Sequence, residues 1–91
     1  METVTLPVYT RSLAHIQKQS RILRNLAAMA QRVAADYFGA GNADTEVFYE
    51  AHDEIAIRVF CWAGDSNEYR FKLKSDIETE FKNALSHDYA N

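Results

Sequence analysis

The sequence predicts an α+β fold of order α-β-β-β-α: a three-stranded antiparallel meander with a long N-terminal helix and a shorter C-terminal helix on one face. Three observations carry this. Arg11 to Phe38 is an unbroken run of 28 residues without Gly or Pro, about 42 Å long as a helix. Three segments between Thr45 and Lys74 have the two-residue alternation of strands. After them, Ser75-Asp76-Ile77-Glu78 reads as a capping box that opens a final helix.

The N-terminal segment alternates at Val4, Leu6 and Val8 like a short edge strand, but Pro7 interrupts a ladder and suits the first turn of a helix. Residues 2–8 are therefore left unassigned. From Tyr9, the positions Leu13, Ile16, Ser20, Leu23, Ala27, Ala30, Ala34 and Tyr37 follow in steps of four and three, the seam of a helix that faces another helix. A second row, Ile22, Leu26, Met29 and Val33, widens the apolar face of the C-terminal half. That half is expected inside the domain, and Gly39 is expected to stop the helix.

Gly39 to Asp44 is a turn too short to separate two domains, so residues 1–91 read as a single domain. The predicted strands are Thr45 to Glu50, Glu54 to Trp62 and Glu68 to Lys74. The short links between them favour a meander. In the last helix Ile77, Phe81, Ala84 and Leu85 form an apolar face, and Asp76, Glu78 and Glu80 complement the macrodipole. This element order resembles that of double-stranded-RNA-binding domains, which imply a basic start to the final helix against phosphate. The matching stretch here is Ser75-Asp76-Ile77-Glu78-Thr79-Glu80, so the resemblance ends at element order.

The net charge of -3 argues against indiscriminate nucleic-acid binding. Its distribution is uneven. Residues 1–38 hold five basic side chains against two acidic ones, whereas residues 39–68 hold seven acidic ones against Arg58. One cysteine, Cys61, allows no internal disulfide and suits a reducing cytoplasm. No apolar run approaches the ~18 to 20 residues of a membrane span, so the expected location is cytoplasmic with no membrane contact.

Catalytic and cofactor signatures are missing. His15, His52, His87 and Cys61 make no zinc spacing, Cys61 shares the inward phase of Ile55, Ile57 and Val59, and no phosphate-cradling glycine motif occurs. No metal or cofactor is expected, and no enzymatic activity.

Pleat alternation places Phe60 and Trp62 on the outer sheet face with Arg58, Arg70 and Lys72, joined by Phe48 if Val47 and Tyr49 point inward. These six are the candidate partner-binding residues. A competing reading pairs Glu46 and Glu50 with the cations across strands and leaves an ordinary solvated face. Tyr9, Leu13 and Ile16 are the candidate seam for a dimer or another partner, because a ~42 Å helix outruns strands of ~30 Å. Residues 2–8 folding back would be the other cover.

The expectation is a small protein-binding module, an inhibitor or regulatory subunit and possible homodimer. In size and charge it resembles phage-encoded inhibitors and toxin-neutralising immunity proteins, without matching residues. Nucleic-acid binding through the basic helix surface or the aromatic face is the alternative. An acidic mimic of nucleic acid is the third reading.

Overall fold

The computed structural model describes residues 2–61, 64 and 66–89, with side chains described from Lys18 onward. The order is α1 (Glu2–Phe38), β1 (Ala43–Ala51), β2 (Glu54–Cys61), β3 (Ser66–Lys72) and α2 (Ile77–Tyr89). The three strands form one antiparallel sheet in the order β1-β2-β3. This is the α-β-β-β-α fold that the periodicities predict.

Alternation in β2 divides the sheet. Ile55, Ile57 and Val59 face the helices and are fully buried. Against them pack Met29, Ala30, Val33 and Ala34 of α1 and Ile77, Phe81 and Leu85 of α2, with Phe71 of β3 completing the core. Small Ala30 and Ala34 let the α1 backbone approach the sheet, and Phe81 fills the space toward Phe71 with ring centroids 6.2 Å apart. Both rows of α1 thus enter the core over its C-terminal half, the first through Ala30 and Ala34 and the second through Met29 and Val33. Along the four-three seam, Ser20 and Ala27 are exposed and Tyr37 is 39% exposed, so among the described side chains the seam enters the core at Ala30 and Ala34, with Leu23 at its margin.

Three sequence expectations need correction, and a fourth falls outside the described residues. The helix begins at Glu2 and includes Pro7, so residues 2–8 are neither an edge strand nor a segment folded back on the seam. The strand bounds shift as well. β1 gains residues at both ends, and β3 starts at Ser66 and ends at Lys72, where the Ser75 N–H and hydroxyl both donate to the Lys72 carbonyl and close a turn. The N-cap of α2 is Asp76 and not Ser75. Its carboxylate accepts from the Thr79 N–H at 3.3 Å and from the Thr79 hydroxyl at 2.9 Å, while its carbonyl accepts the first helical bond, from Glu80. Finally, β2 is described as far as Cys61, and Trp62 lies outside the described residues.

α1 ends as expected. Gly39 has φ +98°, the left-handed conformation of a helix terminator, and its N–H bonds the Ala35 carbonyl at 2.8 Å. At the other end α1 outruns the sheet. Gln31 bonds Ala43 and Thr45, while Lys18, Gln19 and Ile22 line a cleft with Tyr49, His52 and Leu73 near the β1–β2 turn. The helix therefore runs antiparallel to β1 and is level with the end of the sheet by Lys18. Residues 2–17 continue beyond it for about 24 Å at 1.5 Å per residue. The 37 residues of α1 thus set the 55 Å long dimension of the molecule.

Candidate functional site

Two surfaces hold the candidate residues, the sheet face turned away from the helices and the end of α1 beyond the sheet. On the open face the cross-strand rows are Asp44, Phe60 and Ser66; Glu46, Arg58 and Glu68; and Phe48, Ala56 and Arg70. A fourth row sets Glu54 beside Lys72. Between Tyr49 and Ala51 the register shifts, because one extra residue in β1 makes a bulge that includes Glu50.

This register organises the charges. Arg58 lies in the middle strand and reaches Glu46 at 3.1 Å on one side and Glu68 at 3.0 Å on the other. Arg70 pairs with the second oxygen of Glu68 at 3.0 Å and with Glu50 at 3.5 Å. Lys72 stands 3.9 Å from Glu54. Each candidate cation on this face is thus engaged by a carboxylate. With Asp44, five carboxylates face three cations, and the surface is net acidic.

The aromatics divide in the same way. Phe48 is half-buried and roofs Ala56, which is fully buried although it lies on the open face, and the Arg58 guanidinium carbon sits 5.1 Å from the Phe48 ring centroid. Phe60, opposite Asp44, is 39% exposed and borders a shallow hollow of about 120 Å³ with Gly41, Asn42 and Asp44. Of the six candidate residues, Phe60 is the described one whose apolar surface is free. Glu54 and Glu68 were missed as members of this face. Their phase with Arg70 and Lys72 was the signal that would have placed them there.

On the helix side, Lys18, Arg21 and Arg24 are exposed and make no ion pair among the described residues, whereas Arg32 reaches Glu78 at 3.0 Å. That contact and the hydrogen bond from Lys82 hold the Glu78 carboxyl below its ordinary pKa. Tyr9, Leu13 and Ile16 belong to the part of α1 beyond the sheet, and only their backbone is described. A second cleft of about 300 Å³ between the helices is lined by Val33, Tyr37 and Leu85 with Asp36, Lys82 and Ser86.

A latch closes the C-terminal end. The Tyr69 hydroxyl donates to Asp88 at 2.8 Å, Asn67 donates to the Tyr89 hydroxyl at 2.6 Å, and the Tyr89 ring meets Phe38 edge-on with centroids 4.9 Å apart. Burial, together with the bond to Asp88, pushes the Tyr69 phenol well above its ordinary pKa. The hydrogen bond from Tyr69, then that from His87, lowers Asp88.

Among the described residues no three His, Cys, Asp or Glu side chains converge as a metal site, no buried side-chain polar atom lacks a partner, and no helix is long and apolar enough to cross a membrane. No protein-family model, no curated protein and no solved structure is similar to this chain.

Proposed function

We propose that this protein is a non-catalytic protein-binding module that occupies a macromolecular partner as an inhibitor or regulatory subunit, in the manner of phage-type inhibitors and immunity proteins. The observation that carries this reading is the overhang of α1. A helix whose backbone continues about 24 Å past its sheet is longer than that sheet can cover. Within that stretch Tyr9, Leu13 and Ile16 are spaced as a helix-pairing seam. Apolar side chains at such a seam gain roughly 1.5 to 3 kcal/mol each on full burial relative to exposure, which favours association.

The flanking positions Thr10, Ser12 and Gln17 are uncharged, so a second copy is the simplest occupant, at no cost in like-charge repulsion beside the seam. Sedimentation equilibrium at tens of micromolar, with affinity capture from the source lysate, tests the proposal. Wild type should self-associate or retain a discrete protein, and Leu13→Asp/Ile16→Asp should lose whichever contact is seen. A monomeric wild type that retains nothing would end this reading.

Nucleic-acid binding is the second reading, favoured by the unpaired Lys18, Arg21 and Arg24 on a helix with no acidic residue between Glu2 and Asp36. It requires affinity that falls steeply with salt and is lost when those three are neutralised. The net-acidic sheet face weighs against it there. Carboxylates engaged by arginines are equally poor material for a mimic of the phosphate backbone.

A further inference from the structure

Gln31 marks which way the β1 backbone points. Its side-chain amide donates to the Ala43 carbonyl at 3.0 Å, and its oxygen accepts from the Thr45 N–H at 3.1 Å and the Thr45 hydroxyl at 2.8 Å. One side chain thus satisfies, from α1, two backbone groups that point away from β2. A strand repeats its backbone direction every second residue. The Thr45 carbonyl, both groups of Val47 and the Tyr49 N–H therefore lie along the same outer edge, and no backbone bond among the described residues reaches them.

We propose that this outer edge of β1 is a docking site for an extended, basic segment of a partner protein, added to the sheet as a fourth strand. The proposal rests on the protein-binding reading and gives it a second surface with a defined chemistry. Strand addition supplies affinity through backbone bonds and selectivity through alternate side chains. On the open-face side the incoming residues would lie beside Asp44, Glu46 and Glu50; Glu46 and Glu50 already reach Arg58 and Arg70, but with five carboxylates against three cations the face keeps a negative excess. Lys or Arg at every second position fits there.

On the helix side the neighbours are small. Ala27 and Ala28, one turn before Gln31 on α1, are exposed, which leaves room above the edge for short apolar side chains. Val47 and Tyr49 are half-buried, with apolar surface still to cover. A second copy fits this edge poorly. Pairing β1 with itself would crowd six carboxylates onto one face of two adjacent strands.

The probe is an end-blocked nonapeptide of alternating Lys and Val, titrated into the full-length protein alongside an alternating Glu and Val counterpart. In the free protein the amides of Val47 and Tyr49 should exchange with solvent on the order of tenfold faster than that of Thr45, which Gln31 holds. The basic peptide should slow both and bind about tenfold or more tightly than the acidic one. Val47→Pro removes an outward N–H but no ladder bond, so it should keep the fold and lose the peptide. Glu46→Gln/Glu50→Gln, which leaves the backbone untouched, should weaken the basic peptide selectively.

Equal affinity for the two peptides, or undiminished binding by both variants, would overturn the proposal. So would protection of Val47 that rises with protein concentration alone, which would assign the edge to a second copy. A partner lost by Leu13→Asp/Ile16→Asp but kept by Val47→Pro would overturn the edge and leave the protein-binding reading standing. Retention of no partner together with peptide capture at the edge would do the reverse.

Discussion

At Asp76 one carboxylate binds both the backbone and the side chain of Thr79, which makes this residue the start of α2. Asp76→Ala should cost about 0.5 to 2 kcal/mol in chemical denaturation. Ser75→Ala, which removes a turn contact to Lys72, should cost less than Asp76→Ala. An equal or larger effect at Ser75 would return the cap to it. Local pattern could not separate the two, because Ser75 and Asp76 are both capping residues with an acceptable partner three positions on.

The Tyr69–Asp88 contact requires a protonated phenol and an ionised carboxylate at once. Because the folded-state pKa of Tyr69 is raised, its contribution is complete below the ordinary tyrosine value near ~10 and is lost as pH rises beyond it. Asp88 is lowered, so its contribution is present above the ordinary value near ~4 and is lost as pH falls through the depressed one. Thermal unfolding followed against pH should show both declines. Tyr69→Phe should flatten the alkaline limb and shrink the acid one, and an unchanged alkaline limb would remove Tyr69 from this role.

At the scale of elements, the strands were legible because their two-residue alternation differs sharply from the helical period, and α2 because capping residues precede an apolar face at helical spacing. The beginning of α1 was not. Val4, Leu6 and Val8 alternate as a strand would, whereas Pro7 suits the first turn of a helix, so the two signals conflict and local pattern does not show that the helix begins five residues before the proline. The open face was legible in membership but not in charge balance. Alternation places Phe48, Arg58, Phe60, Arg70 and Lys72 together, whereas which carboxylate meets which cation depends on register, and register depends on the turn and on the bulge near Glu50.

The two described phenylalanines of that face should therefore behave differently. Phe48→Ala uncovers Ala56 and removes the surface on which Arg58 lies, and should destabilise by about 1 to 3 kcal/mol. Phe60→Ala should change stability by no more than ~0.5 kcal/mol, leaving any effect on binding to be read directly. Denaturation midpoints for the pair decide this. Equal losses would show that Phe60 supports the sheet as Phe48 does.

Across the whole molecule, charge and length divide the surface. The solvent side of α1 carries Lys18, Arg21 and Arg24, while the far side of the sheet carries the excess of carboxylates. Among the described side chains, the contribution of α1 to the core lies between Leu23 and Phe38, while its backbone continues past the sheet. Leu13→Asp/Ile16→Asp should consequently leave the monomer's unfolding free energy within about 0.5 kcal/mol of wild type while abolishing association. Urea unfolding at sub-micromolar concentration checks this. A large loss of monomer stability would mean that these residues serve the fold itself.

The order of the strands in space is their order in the chain, and this has a kinetic consequence. Each strand pairs with its sequence neighbour across a short turn, so the sheet closes only small loops, each at little entropic cost. The distant meeting is that of α1 with α2 over Phe81 and Leu85, which joins the two ends of the sequence. Refolding should then proceed in the millisecond range typical of mixed domains rather than over seconds, with docking of α2 as the step that sets its rate. Stopped-flow traces in which Leu85→Ala slows folding, while the Phe48 variant mainly speeds unfolding, would place the barrier at that closure.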